Sequence, residues 1–151
     1  MFRWFLDIYA SAQGEKRLLL RALWELMRRT LTLLGDPSYE TVIHGKKIRL
    51  PISHKLSLYV AKHPYYDELP ARVSAYLHNQ EGFLTMIDVG ANVGDTILFC
   101  YEDQHDKFLA IEVSPFFVKF LKQNCAHIQN LELVAALCAS EDCNEIGRAH
   151  V

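Results

Sequence analysis

The chain has no long apolar run, little net charge and no paired cysteines, and each absence removes a class of function. After Arg3 a short apolar run stops at Asp7, with no small-residue cleavage site behind it, so the N-terminus does not read as an export signal. Leu18-Leu19-Leu20 is cut by Arg21, and no segment is long enough to span a bilayer. A formal charge of −2 supplies no strong field for nucleic acid or an anionic membrane, so no nucleic-acid partner is expected. Cys100, Cys125, Cys138 and Cys143 form no C-x-x-C pair and no His–Cys metal spacing. Buried free thiols in a reduced, cytoplasmic compartment are the expectation, with no metal site. Half of the 151 residues are hydrophobic, enough for the core of one soluble globular domain.

What is present centres on residues 84–99. Leu84 to Val89 is an apolar strand signal carrying one carboxylate, Asp88. Gly90 and Gly94 follow, four positions apart, and then Ile97-Leu98-Phe99 as the buried face of a helix starting near Asp95 or Thr96. Strand, glycine turn and helix form the local shape of a nucleotide-type site. Gly90 permits a tight turn, and Gly94 is expected to let the backbone approach a ligand closely. Spacing then discriminates among ligands. A dinucleotide fingerprint beginning at Gly90 requires glycines at 92 and 95, where this chain has Asn92 and Asp95. No lysine follows Gly94, so a phosphate-cradling loop fails too. Asp95 at a helix start would repel a pyrophosphate. A cationic ligand without phosphate fits better, and S-adenosylmethionine is one.

A second carboxylate supports this. Phe108-Leu109-Ala110-Ile111 reads as a second buried strand ending on Glu112, which stands 22 positions past Gly90. An acidic residue about 20 positions beyond the first glycine reaches a ribose hydroxyl pair. The plain alternative is a strand-end glutamate facing solvent. Ser114 and Pro115 then suit the N-cap and first position of a helix running to about Ala126, with Phe116, Phe117, Phe120 and Leu121 inward. Leu131 to Leu137 reads as a third strand, whose following turn, Cys138 to Glu141, is expected near an adenine.

The strings Ile87-Asp88-Val89-Gly90-Ala91-Asn92-Val93-Gly94 and Ala110-Ile111-Glu112-Val113-Ser114-Pro115, with Phe120-Leu121-Lys122-Gln123-Asn124, resemble the FkbM-type branch of the class I methyltransferases. That pattern more often has proline at the place of Val113. The resemblance covers roughly residues 40–144. It implies an α/β, Rossmann-like class I methyltransferase fold in which only the first half of the doubly wound sheet is present, in spatial order 3-2-1. N-terminal helices and a β-hairpin precede it. It also implies S-adenosylmethionine as cofactor, held by Asp88, Gly90, Ala91, Asn92, Gly94 and Glu112. Methyl transfer to a hydroxyl of a sugar or secondary metabolite follows, the partner being a small-molecule or glycan acceptor. The family's later acidic D-x-E-G-like motif and acceptor strands have no counterpart here, so no catalytic base is assigned and the chain is expected to be inactive alone. A nicotinamide-dependent oxidoreductase and a non-catalytic ligand- or partner-binding module remain the alternatives.

Upstream, residues 2–34 read as one or two helices with a break near Gly14. Leu19, Leu20, Leu23, Trp24, Leu26, Met27, Leu31 and Leu34 recur at helical spacing among Lys16, Arg17, Arg21, Arg28 and Arg29. Such a helix packs on its own domain or, as the other reading, touches a membrane surface or partner. Glu40–Ile43 and Lys47–Leu50 flank His44-Gly45-Lys46 as a β-hairpin. Two helical patterns follow, Lys55 to Lys62 and about Asp67 to His78, the second with Leu69, Val73, Tyr76 and Leu77 on one face. The resemblance implies that this segment packs over the cofactor side. His44, His54, His63 and His78 show no metal spacing and read as structural. The expected divisions are a helical extension at 1–38, a partial methyltransferase domain at 39–145, and a non-native tail at 146–151. The tail, Ile146-Gly147-Arg148-Ala149-His150-Val151, has no hydrophobic period. It coincides with the translation of a widely used sequencing adapter, a true C-terminal tail being the alternative.

Overall fold

The structure, a computed structural model, describes residues 14–63 and 65–137. The expectations for residues 2–13, the turn at 138–141 and the tail at 146–151 lie outside the described residues. The chain divides into two compact units, residues 1–71 and 72–151, and each is described by itself.

The first unit holds helix α1 (Gly14–Leu33), strands β1 (Ser38–Ile43) and β2 (Lys46–Pro51), and helix α2 (Leu56–Lys62). The hairpin turns on two residues, because His44 and Gly45 both take positive φ (47° and 78°), the primed turn that matches strand twist. The strands therefore extend to Ile43↔Lys46 at the turn and Ser38↔Pro51 at the far end. Trp24 of α1, 1% exposed, and Ile52 form the centre of a core completed by Met27, Leu31, Tyr39 and Leu58. The helix ends in a Schellman-type closure, with Asp36 N–H donating to Leu31 O (3.0 Å). The Asp36 carboxylate then accepts from Ser53 N–H (2.9 Å) and Ser53 Oγ–H (2.6 Å), tying the helix end to the segment after β2. On the helix surface, hydrogen bonding from Arg28, with help from Arg29, lowers the Glu25 carboxyl to about 2 against the cost of its burial.

Helix α3 (Glu68–Glu81) contains the division between the units. The second unit continues with β3 (Thr85–Val89), α4 (Asp95–Cys100), β4 (Lys107–Ile111), α5 (Pro115–Asn124) and β5 (Leu131–Val134). The three strands form a parallel sheet in the order β3-β4-β5, with Ile87↔Leu109 and Leu109↔Glu132 in register. This α/β unit has the strand order that the strand–helix alternation implies.

One expectation needs correction. Strand β4 reads as buried in the sequence, yet burial alternates along it and β3: Phe108 and Ala110 are buried, while Ile87 is 64% exposed and Val89 is exposed. Successive side chains point to opposite faces, and among the described residues one face is covered and the other open. On α3, the apolar positions Leu69, Val73, Tyr76 and Leu77 face outward, and Ser74 is buried instead. The polar tie from His78 to Asp106, one turn on from Ser74, sets the helix's rotation.

Among the described residues strand β3 is the outer strand of the sheet, so its outer edge offers unpaired backbone groups next to the open apolar face. Ile87→Lys should therefore raise the solubility limit of the chain and reduce light scattering on concentration. Its unfolding free energy should stay within about 0.5 kcal/mol, as for other exposed positions.

Candidate functional site

The carboxyl ends of β3 and β4 carry the site, the position where open α/β sheets bind ligands. Gly90 (φ 80°) turns the chain across the end of β4, and both its N–H (2.8 Å) and that of Ala91 (3.1 Å) donate to Ile111 O. Asn92 also takes a left-handed φ of 49°, a conformation that asparagine tolerates better than most residues. Gly94 N–H closes the turn on Ala91 O (2.7 Å), and Gly94 starts α4 at a φ of 81°.

The reason for glycine differs between the two positions. A Cβ at Gly90 would meet nothing within 4 Å, so only its backbone conformation calls for glycine. A Cβ at Gly94 would lie 2.8 Å from Cys125 Sγ and 3.1 Å from Leu121 Cγ. The close approach that requires glycine at 94 is therefore to helix α5. Two more links bind loop to helix: Asn124 Nδ2 donates to Val93 O (2.8 Å), and Cys125 Sγ–H donates to Gly94 O (3.5 Å).

Glu112 fastens the other side. Only 7% exposed, it does not face solvent: Oε2 accepts from Asn92 N–H (2.8 Å) and Oε1 from Ser114 N–H (2.7 Å). Ser114 occupies the N-cap of α5 but makes no side-chain capping bond. Each carboxylate oxygen has room for two donors, so one acceptor position per oxygen remains.

Asp88 and Asn92 complete the site. Asp88 Oδ2 and Asn92 Oδ1 are shielded from solvent and have no hydrogen-bond partner, which is costly unless a donor arrives. Burial, and then the charge of Glu112, pushes the Asp88 carboxyl above the usual range. Burial, with the charges of Asp95 and Asp88, raises the Cys125 thiol to about 12, so it stays protonated. The site thus collects Asp88, Asp95 and Glu112 around a turn with orphan acceptors. Its chemistry suits a ligand that brings positive charge and hydroxyl or ammonium donors, and opposes a phosphate.

A second cluster was missed in the sequence, since its members are far apart: His78, Asp103 and Asp106 converge closely enough to suggest a cation site. Asp106 is already saturated. Its Oδ1 accepts from Leu84 N–H (2.7 Å) and His78 Nδ1 (2.9 Å), and its Oδ2 from Glu102 N–H (2.9 Å) and Asp103 N–H (3.1 Å). Four donors on two oxygens leave no lone pair for an ion, so the cluster is a structural clip. An open cleft of about 550 Å³ lies at the opposite, N-terminal end of the strands, on the uncovered face between Ile87, Lys107, Leu109 and Glu132.

Two outcomes follow. Gly94→Ala should cost about 2–4 kcal/mol in urea unfolding, from backbone strain plus overpacking, and Gly90→Ala about 1 kcal/mol from the backbone alone. The clip should give the second unit a stability maximum in pH. Burial raises the Asp106 pKa, but the Glu102 and Asp103 N–H groups, His78 and Leu84 N–H outweigh it and hold the carboxyl below 3.8. Its contribution is present above 3.8 and lost as pH falls through the folded value. The hydrogen bond to Asp106 and the neighbouring acidic charges raise His78 above 6.5, so its contribution is complete below 6.5 and lost as pH rises through the folded value. Thermal melts should peak between those limits. Asp106→Asn should flatten the profile and cost about 2–4 kcal/mol, because an amide cannot accept all four donors.

Set against known proteins, the chain matches no family model and no curated protein.

Proposed function

We propose that residues 39–145 are the cofactor-binding part of an S-adenosylmethionine-dependent methyltransferase of the FkbM type, with a Rossmann-like class I fold. The observation that carries this is the pairing of a buried, half-satisfied Glu112 with the orphan acceptors of Asp88 and Asn92 at the end of a parallel sheet. The remaining acceptor positions on Glu112 suit the two ribose hydroxyls. Asp88 Oδ2 and Asn92 Oδ1 suit the ammonium of the methionine end, along the turn formed by Gly90, Ala91, Asn92 and Gly94. A bound ammonium would also relieve the unfavourable burial of Asp88. When bound, the cofactor supplies a methyl group on a sulfonium, open to attack by an acceptor hydroxyl. The residues named here hold and orient it; none of them is placed to take the acceptor's proton, and no catalytic base is assigned. The acceptor class proposed is a hydroxyl of a sugar or secondary metabolite. No helix among the described residues is long and apolar enough to cross a membrane. Cys100 and Cys125 are buried thiols outside any disulfide, in keeping with a cytoplasmic setting.

A nicotinamide dinucleotide would place its pyrophosphate beside Asp88 and Asp95, which disfavours the oxidoreductase. Calorimetric titration separates the two: S-adenosylhomocysteine should bind and NADH should not, and the reverse order would overturn the proposal. Loss of two charge-assisted bonds worth about 1.5–3 kcal/mol each should make Glu112→Gln weaken S-adenosylhomocysteine binding at least tenfold. Glu112 also anchors the loop, so the melting temperature of the ligand-free variant is read alongside. An affinity unchanged within twofold excludes the ribose role.

A further inference from the structure

Helix α1 carries two apolar stripes, and the fold of the first unit uses one. Trp24, Met27 and Leu31 face the core. Leu19, Leu23, Leu26, Thr30 and Leu33 are exposed, Leu26 at 64% and Leu33 at 88%. The spacing of this second stripe is 4, 3, 4 and 3 residues, with leucine at every seventh position through 19, 26 and 33. That is the a/d repeat of a coiled-coil seam, with Leu19, Leu26 and Leu33 at d and Leu23 and Thr30 at a. At 100° per residue its centre lies about a third of a turn round the helix from the buried stripe, so the seam and the core do not compete.

We infer that α1 pairs in parallel with α1 of a second copy of this chain. A seam of period 3.5 complements another helix of the same period, and a parallel, in-register partner stacks each of the five layers on its own copy. Thr30 fits a seam layer because its hydroxyl already donates to Leu26 O (3.0 Å). The seam spans about 21 Å, and the pair buries on the order of 1,000 Å², the size at which specific interfaces begin. The described basic side chains of α1 do not favour a lipid surface as the occupant. Arg28 is turned away from the seam, bonded to Glu25 and Ser53 O, and Arg29 beside the seam is paired with Glu25.

Sedimentation equilibrium of the full chain tests this. The expected result is a dimer whose dissociation constant rises at least a hundredfold in Leu26→Glu, where two charges enter one layer. Leu18→Glu, exposed on the same helix but off the seam, and Ile87→Lys, on the sheet face, should leave the dimer intact. If Leu26→Glu loses helicity by circular dichroism, Leu33→Glu at the most exposed layer gives the reading. A monomeric wild-type chain, or a dimer indifferent to both seam variants, overturns the inference. So does co-sedimentation of a monomeric chain with phosphatidylserine vesicles that is lost in Leu26→Glu.

Discussion

The buried carboxylate of Glu112 is the constraint on which the glycine loop depends. One oxygen holds Asn92 N–H in the loop and the other holds Ser114 N–H at the start of α5. At the other end of α5, Asn124 and Cys125 hold Val93 and Gly94. The loop therefore rests on a single helix clamped at both ends, and its left-handed residues are held by hydrogen bonds from outside the turn. An isolated loop with positive φ at Gly90, Asn92 and Gly94 would have no reason to keep one shape. On the proposed reading, a carboxylate that shapes the loop while keeping acceptor capacity would couple loop order to ligand binding, because the same oxygens would serve both.

Electrostatics sharpens the choice of ligand. Asp88, Asp95 and Glu112 gather where burial weakens screening, and Asp88 answers by shifting toward its neutral form. A positively charged ligand reverses that shift, whereas an anionic one adds to it. On the proposed reading, selectivity against phosphate would come from the accumulation of like charge, independently of any shape match. The six-residue α4 adds little to oppose it, since its first residue is itself Asp95.

Much of this was legible in the sequence wherever the cause was local. The hairpin followed from His44-Gly45, the parallel strand order from alternating strand and helix signals, and the placing of Asp88 and Glu112 at strand ends from where apolar runs stop. What the sequence did not disclose depends on contacts between distant residues. That glycine at 94 also makes room for Cys125 and Leu121 is not visible in its local spacing. The rotation of α3 is fixed by His78 meeting Asp106, 28 positions away, against the helix's own apolar pattern. Periodicity identifies which residues share a face but not which face a tertiary contact will select.

The same limit explains why α1 reads as one amphipathic helix although it presents two apolar stripes. Its leucines satisfy a 3.6-residue period loosely, and only the position of Trp24 in the core shows which of them the unit consumes. Of the exposed leucines, those at 19, 26 and 33 then fall on a seven-residue repeat, with Leu18 and Leu34 off it. A helix serving a core alone has no need of that repeat, because solvent-facing positions tolerate charged residues at little cost. Leucine at 19, 26 and 33 costs solubility while exposed, and burial against a matching helix offsets that cost. The open sheet face differs in kind. Its residues alternate because strands must, and its apolar character follows from β propensity as much as from any partner.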